Sequence, residues 1–473
     1  MENEDLYTLK PLDCVSKQTQ LFLNKKQLEL LQLKAGRELN LQVGFDSLTV
    51  QVAEQHKDPS LATLYLSDTA FRGLSHYHGE ALWLVFHSHT QMRLGPTFAI
   101  TVSYRLWNHP DKNYALKKRA QLALKKGILL YCFHLRKVDL ENNLVEACYL
   151  NPQAQKWTRE FLPFPQVLYH RSYFPFAYFS RQGNTNNIYH KVWANPKIQK
   201  INNAYRFDKW TVYQALARFQ HTNSFHPESA LFSSQALALF LTKYPFCYVK
   251  HIRSIGGKKV CRLERAGAFY TCKMGGSIIK RWKFSKISRL FRFLRKKFGK
   301  RLIIQGGITL ARLNGKPFDI RVLVQKDVNA RWVISALSFR VAAPEAVVTN
   351  VAAGAQKITL APDDDLLGCG IALDSLQHMA FKTLDALEAF YGSLGEVGLD
   401  MALDNDGKLW LLEANLQPSS SGYQKTATLG LCNQIFGLPL DYAKYLARNM
   451  FSGFPQNQHG VVNGNEPGKT GAF

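Results

Sequence analysis

The sequence lacks paired cysteines. Its eight cysteines (Cys14, Cys132, Cys148, Cys247, Cys261, Cys272, Cys369 and Cys432) stand singly, without Cys-x-x-Cys spacing, and several lie in apolar runs such as Phe246-Cys247-Tyr248-Val249. That pattern gives a zinc site no local support and fits reduced core thiols of a cytosolic protein better than a disulfide framework. Long apolar runs are also missing. The most apolar window, 230–249, is broken by Ser233, Ser234, Gln235, Thr242, Lys243 and Pro245. A membrane span needs about 20 mostly apolar residues, so the window reads as a buried helix followed by a strand. The opening Met1-Glu2-Asn3-Glu4-Asp5 is acidic and precedes no apolar core, so no secretory signal is expected. Acids are scarce: 35 Asp and Glu stand against 60 Lys and Arg, for a formal charge of +25. A field of that sign draws polyanions, anionic surfaces or acidic substrates, and says nothing about fold.

What is present is globular composition, 46% hydrophobic and 12% aromatic over 473 residues. That excludes global disorder and points to two or three domains. Residues 1–95 read as a β-rich domain, because Leu48, Val50 and Val52 alternate with Thr49 and Gln51. In the same region His76 and His78, like His87 and His89, are two apart, which invites a metal reading; solvent-facing strand histidines are the plainer one. After Gly95-Pro96, the strand Phe98–Val102, the helix Tyr114–Lys126 and the strand Gly127–Phe133 predict a parallel α/β unit within 96–205. The stretch 151–205 reads as irregular. Dense alternation of strands and helices follows over 206–451, and 452–473 reads as a disordered tail. Within 280–301, Ile287, Leu290, Phe291, Leu294 and Phe298 form one apolar stripe on a helix rich in arginine and lysine. A docked surface helix is the plain reading. A nucleic-acid or membrane contact is the sharper one, and no zinc-finger or ribonucleoprotein signature supports it.

The chemistry-bearing residues cluster late. Asp406-Gly407 suits a two-residue type I′ turn between two apolar runs. Such a turn pairs Asn405 with Lys408 and sets Asp400 opposite Glu413, with Asn415 two residues on and therefore on the same face. Directly opposed carboxylates destabilise a bare hairpin, and a hard cation such as Mg²⁺ between them removes the conflict. Cations come earlier. Phe207-Asp208-Lys209-Trp210 opens a helix, Lys250 ends a buried strand, and Arg253-Ser254-Ile255-Gly256-Gly257-Lys258 is a short turn whose N–H groups could lie over phosphates. Asp319 and Arg321 alternate onto one face of an apolar strand, and Arg340 lies on the next. Interior arginines need anions, either neighbouring carboxylates or a ligand phosphate.

The order Lys209, Lys250, Gln305-Gly306-Gly307-Ile308, Asp319-x-Arg321, Arg340, Thr349-Asn350, Asp400, Glu413-x-Asn415 resembles the ATP-grasp superfamily. Leu94-Gly95-Pro96, Lys316 to Asp327 and Trp410-Leu411-Leu412-Glu413-Ala414-Asn415 bring it closer to the YheC/YheD endospore coat-associated group of that superfamily. The resemblance implies an α+β and α/β multidomain chain, an ATP-grasp fold preceded by a small α/β domain and a β-rich one. It further implies that Lys209, Lys250, Ser254 and Gly256 bind ATP phosphates, and that Gln305, Gly307 and Ile308 form a hinge strand meeting adenine. Arg321 and Arg340 would face the transferred phosphate or the acyl substrate, near Asn350, while Asp400, Glu413 and Asn415 hold Mg²⁺. The implied reaction is ligation of a carboxylate to an amine or thiol through an acyl phosphate, in the cytoplasm or at the spore coat. The alternative is a structural coat component that holds acidic partners. The chain departs from the family pattern at Arg253 and Lys258, where glycine is usual, at Val351 to Ala355 with one glycine, and at a hinge without an acidic side chain.

Overall fold

The structure, a computed structural model, describes the chain apart from residues 1–5, 13–17, 56–60, 75–81, 88–89, 173–190, 205–206, 255–258, 276–278, 343–354, 365–367, 420–421 and 452–473. Gly256, Asn350, His76, His78, His89, the side chain of His87 and the expected disordered tail therefore lie outside the described residues. The chain forms two compact units: Met1–Ile201 with Lys326–Arg331 and the described residues from Cys432, and Asn202–Gln325 with Trp332–Leu431.

In the first unit, β1 (Leu6–Leu12), β2 (Gln20–Leu23), β3 (Glu38–Val43), β4 (Asp46–Glu54), β5 (Thr63–Ser67), β6 (Leu82–His87) and β7 (Gln91–Leu94) close into a barrel. Alternation turns Leu39, Leu41 and Val43 inward to meet Val50, Val52, Leu64 and Leu66, so the interior is packed. A second sheet follows with β8 (Thr97–Thr101), β9 (Leu129–Asp139), β10 (Leu144–Leu150), β11 (Trp157–Pro163), β12 (Val167–His170) and β13 (Gln199–Lys200). Here β8 and β9 are parallel and the helix Tyr114–Lys125 lies between them in sequence. The irregular reading of 151–205 is corrected at β11 and β12. Val167, Leu168 and Tyr169 are buried and pair in parallel with β8. The prolines that read as irregularity fall at harmless places: Pro163 ends an edge strand, where its missing N–H breaks no ladder. The helix Leu429–Phe451 packs Leu440, Ala443, Leu446 and Ala447 into this sheet's core, so its latter part belongs with the first unit and not with 206–431.

The second unit contains two antiparallel-rich sheets. One comprises β14 (Ser229–Leu231), β15 (Phe246–His251), β16 (Val260–Ala266), β17 (Phe269–Met274), β18 (Lys280–Phe284) and β19 (Leu302–Gly306), in the order β14-β19-β15-β16-β17-β18. The other comprises β20 (Arg312–Leu313), β21 (Lys316–Lys326), β22 (Trp332–Val341), β23 (Gln356–Leu360), β24 (Glu396–Leu403) and β25 (Leu409–Asn415), in the order β23-β22-β21-β24-β25 with β20 on β21. Cys247, Val249, Cys261, Leu263 and Ile304 share a core with Leu237 and Phe240 of the helix Ser234–Lys243 and with Leu290, Leu294 and Phe298 of the helix Ile287–Phe298. The basic helix is thus docked by its apolar stripe, leaving Arg289, Arg292 and Lys296 exposed. In the other sheet Ile320, Val322, Leu399, Met401 and Leu411 pack against the helices Lys209–Ala217 and Leu373–Tyr391. With helices burying one face, period-two alternation sends Lys250 and Gln305 in the first sheet, and Asp319, Arg321, Asp400 and Glu413 in the second, to the opposite face. Among the described residues none of the seven cysteines is in a disulfide, and no helix is long and apolar enough to cross a membrane.

Candidate functional site

The hairpin β24–β25 sets the acidic residues. Asp400 lies opposite Glu413 and Gly398 opposite Asn415, as expected, but the local path differs from the two-residue turn. The Asp404 N–H donates to the Lys408 carbonyl at 3.0 Å, so residues 405–407 form a three-residue loop, with Gly407 at φ 80°. Asp406 is not left-handed; the turn is therefore of the kind that ends in a single left-handed glycine. The Asp404 carboxylate fixes it, accepting from the N–H groups of Asp406 (3.0 Å) and Lys408 (2.8 Å) and from Trp410 Nε1 (2.7 Å). This loop alone would set Asp400 opposite Leu412. A bulge between Asp400 and Met401, where Leu411 and Glu413 flank the extra residue, restores the Glu413 partnership.

Both carboxylates meet cations of the chain itself. Arg321 grips Asp400 through Nε and Nη2, the latter at 2.9 Å, and Arg340 Nη2 reaches the same carboxylate at 3.2 Å. Arg340 forks onto Asp319 at 2.5 and 2.6 Å. Burial by itself would raise the Asp400 carboxyl; the two guanidinium charges outweigh that and hold it at about 2. Burial likewise pulls Arg340 down, and Asp319 and Asp400 more than reverse the pull. The anions that interior arginines require are therefore carboxylates here. Gly398 makes room for this arrangement: a Cβ there would lie 3.1 Å from Arg321 Cδ and 2.8 Å from Pro418 Cβ.

Lys209, just inside the helix capped by Asp208, sends Nζ to the Ser254 carbonyl (2.7 Å) and to Glu413 Oε1 (3.1 Å). Lys250 Nζ donates to Gln305 Oε1 at 2.6 Å, and Gln305 Nε2 donates to Ser229 Oγ at 3.0 Å. Burial draws the Lys250 ammonium down to about 8, against the opposing pull of Glu413. The expected hinge strand ends early. β19 stops at Gly306, whose N–H goes to the Glu228 carbonyl, and the Gly307 N–H is spent on the Phe246 carbonyl at 2.9 Å. Free backbone N–H groups for a ligand can thus begin only beyond Gly307. The glycines are required sterically: an added Cβ would come within 2.8 Å of the Tyr244 ring at Gly306 and 2.2 Å of the Phe246 ring at Gly307.

The structure therefore forms two bonded sets, Lys209 with Ser254 and Glu413, and Arg321 and Arg340 with Asp400, whose carboxylates Glu413 and Asp400 are cross-strand partners; Lys250, hydrogen-bonded to Gln305, feels the charges of both. Ile308 makes no side-chain polar contact. Sequence reasoning missed two features, the Asp319 fork that anchors Arg340 and the rings over Gly306-Gly307; the adjacent glycine pair was the legible signal for the second. No group of three or more His, Cys, Asp or Glu side chains that could hold a metal occurs among the described residues. An oxygen set that includes the amide of Asn415 is another matter. Glu413 bonds Lys209 through Oε1 alone, and neither its other oxygen nor the Asn415 side chain has a partner among the described residues. Oxygen donors of this kind fit a hard divalent ion, with Asp400 joining only when its arginines turn to another anion.

Two sheets, each backed by helices on one face and meeting at a cation-rich polar face, define an ATP-grasp fold. Residues 197–446 match the family described as YheC/D like ATP-grasp, and the chain belongs to that family. The endospore coat-associated protein YheD of Bacillus subtilis is 24% identical over 403 residues, 81% of this chain and 86% of that protein. YheC of the same organism is 24% identical over 357 residues, 74% and 95% of the two chains. Among solved structures, D-cycloserine synthetase DcsG aligns with a TM-score of 0.45 at 15% identity, over 74% of this chain and 99% of that one.

Proposed function

We propose that the chain is an ATP- and Mg²⁺-dependent ligase that joins a carboxylate to an amine or thiol through an acyl phosphate, in association with the spore coat. The observation that carries the reading is the convergence of Lys209, Lys250 and Gln305 from one side with Asp400, Glu413 and Arg321 from the other. Phosphoryl transfer asks chiefly for positioning and charge neutralisation. In this reading Lys209 and Lys250 neutralise phosphates, and the resemblance adds Ser254 and Gly256 as phosphate-binding residues. Gln305 holds the Lys250 ammonium in place, and Gly307 and Ile308 border adenine. Glu413, Asn415 and Asp400 hold the magnesium, whose charge offsets that of the phosphates when bound. Arg321 and Arg340 orient the substrate carboxylate as it attacks the γ-phosphate, a role the resemblance extends to Asn350, and ADP leaves; the amine or thiol then displaces phosphate. Calorimetric ATP titration with Mg²⁺ tests this: Glu413→Gln should lose magnesium-dependent affinity, and an unchanged affinity would sink the metal assignment.

One observation favours a second reading, a coat component without turnover. Asp400 is already satisfied by two arginines, so that carboxylate is balanced without a metal. That reading is supported if ATP binds to no measurable extent and an Asp400→Asn, Glu413→Gln double variant still localises normally.

A further inference from the structure

Two buried thiols of the first unit face each other. Cys132 of β9 and Cys148 of β10 are direct cross-strand partners in an antiparallel pair, so both side chains lie on one face of the sheet, in the core that also holds Trp107 and Leu116. Directly opposed residues of such a pair have Cα atoms about 4.5–5.5 Å apart, inside the range of about 4.4–6.8 Å that a disulfide spans. Among the described cysteines no other two are opposed. Cys261 and Cys272 come nearest, but their partners are Val249 and Leu263, which makes the two diagonal. Diagonal neighbours lie about 7–8 Å apart.

The two thiols are not equivalent. Cys132 is wholly buried, whereas Cys148 keeps 3% of its surface exposed and stands nearer the sheet's edge. Its partner on the far side is Arg159 of the edge strand β11, an exposed residue that lies 3.9 Å above the Trp107 ring. A bond from Cys148 Sγ to the Trp107 carbonyl at 3.3 Å fixes where the sulfur lies. The Cys132 thiol donates to that sulfur, and Arg159 adds a hydrogen bond and its charge; against burial, they bring the Cys148 thiol down to about 7. The same thiol–thiol bond, and then burial, push Cys132 well up. An attacking thiolate therefore sits at the outer position, with a resolving thiol directly behind it.

We propose that Cys132 and Cys148 are a reversible thiol–disulfide pair, primed by Arg159 and oxidised by a hydroperoxide. The Cys148 thiolate takes an oxygen from hydrogen peroxide, forming a sulfenic acid and releasing hydroxide. The Cys132 thiol then attacks that sulfur; the S–S bond forms, and the hydroxyl leaves with the Cys132 proton as water. The pair gives up two electrons and the peroxide takes them. The test is oxidation of the full chain with near-stoichiometric hydrogen peroxide, alkylation of the remaining thiols in denaturant, and peptide mass spectrometry. A peptide cross-linked between Cys132 and Cys148 should form first and disappear with dithiothreitol. Arg159→Gln, on the exposed edge strand, should slow its formation about twofold at pH 7 and not at pH 9, because the lost thiolate fraction is partly offset by higher nucleophilicity and is restored at high pH. Cross-linking of Cys261 to Cys272 at an equal or faster rate overturns the proposal, as does Cys148 carried to sulfinic acid without a cross-link. So does an Arg159→Gln rate that is unchanged at pH 7, or lowered equally at both pH values.

Discussion

Lys250 gives the sharpest test of the nucleotide reading. Burial lowers its ammonium to about 8 from an ordinary 10.5. At that value about nine-tenths of the side chain is charged at pH 7 and about one-tenth at pH 9. If only the ammonium form contacts phosphate, ATP affinity falls about tenfold between those two pH values. Bound phosphate raises the value in the complex, so the fall continues towards pH 10. The assay is ATP titration by calorimetry at fixed ionic strength from pH 6.5 to 9.5, with Lys250→Arg as control, because a guanidinium keeps its charge throughout. The control should bind with a flat profile over this range. Unfolding cannot mimic the effect through this residue. A lysine depressed in the folded state binds fewer protons than the unfolded chain between about 8 and 10.5, so its contribution to stability rises with pH across that window. A flat wild-type profile from pH 7 to 9, or an equal fall in Lys250→Arg, would refute the reasoning.

Three further outcomes are expected. Asp319→Ala removes one partner of a buried fork on Arg340 and should cost about 3–5 kcal/mol, read as a lower urea midpoint in tryptophan fluorescence; Asp319→Asn, which keeps the shape, should cost less, and an unchanged midpoint contradicts the anchor role. Gly307→Ala places a methyl group against the Phe246 ring and its carbonyl oxygen and should destabilise by about 1–3 kcal/mol, with Phe246→Leu relieving only the ring's share; a silent single variant contradicts the steric requirement. Deleting Leu412 removes the bulge while leaving Asp400 opposite Glu413 and Leu411 facing the core, so the deletion should fold and keep the Lys209–Glu413 contact, as a crystal structure of the variant can check.

Legibility from sequence tracked how local the cause was. The helix at Lys209 announced itself through Asp208, whose carboxylate accepts from the Trp210 and Thr211 N–H groups, and through Val212 and Leu216 on the buried side. Period-two alternation placed Asp319 with Arg321, because a strand covered by helices on one face leaves its polar side no other place. Long-range choices were not legible. Whether Arg340 would meet phosphate or carboxylate depended on Asp319, one strand over, and nothing in the spacing decided it. The buried strand β12 was hidden by nearby prolines, one of which, Pro163, stands on an edge strand that only the sheet order reveals.

The hairpin shows how a correct result can rest on a wrong path. A two-residue turn at Asp406-Gly407 and the observed three-residue loop differ by one in register. One residue of slip should have moved Glu413 to the other face and paired Asp400 with Leu412. The bulge supplies the missing residue, so the two departures cancel from Asp400 back to Gly398 but not between the bulge and the turn: Leu403 still pairs with Leu409, one step from the simpler expectation. Cancellation of this kind is costly to maintain by accident. A bulge breaks the ladder and bends the strand, and here it does so next to the two carboxylates that Lys209 and Arg321 contact. The loop is fixed by Asp404 at one end, the acidic pair by Lys209 and Arg321 at the other. The irregularity lies where two rigid requirements with incompatible registers meet, which is why the pair was predictable from its ends although the strand between them was not.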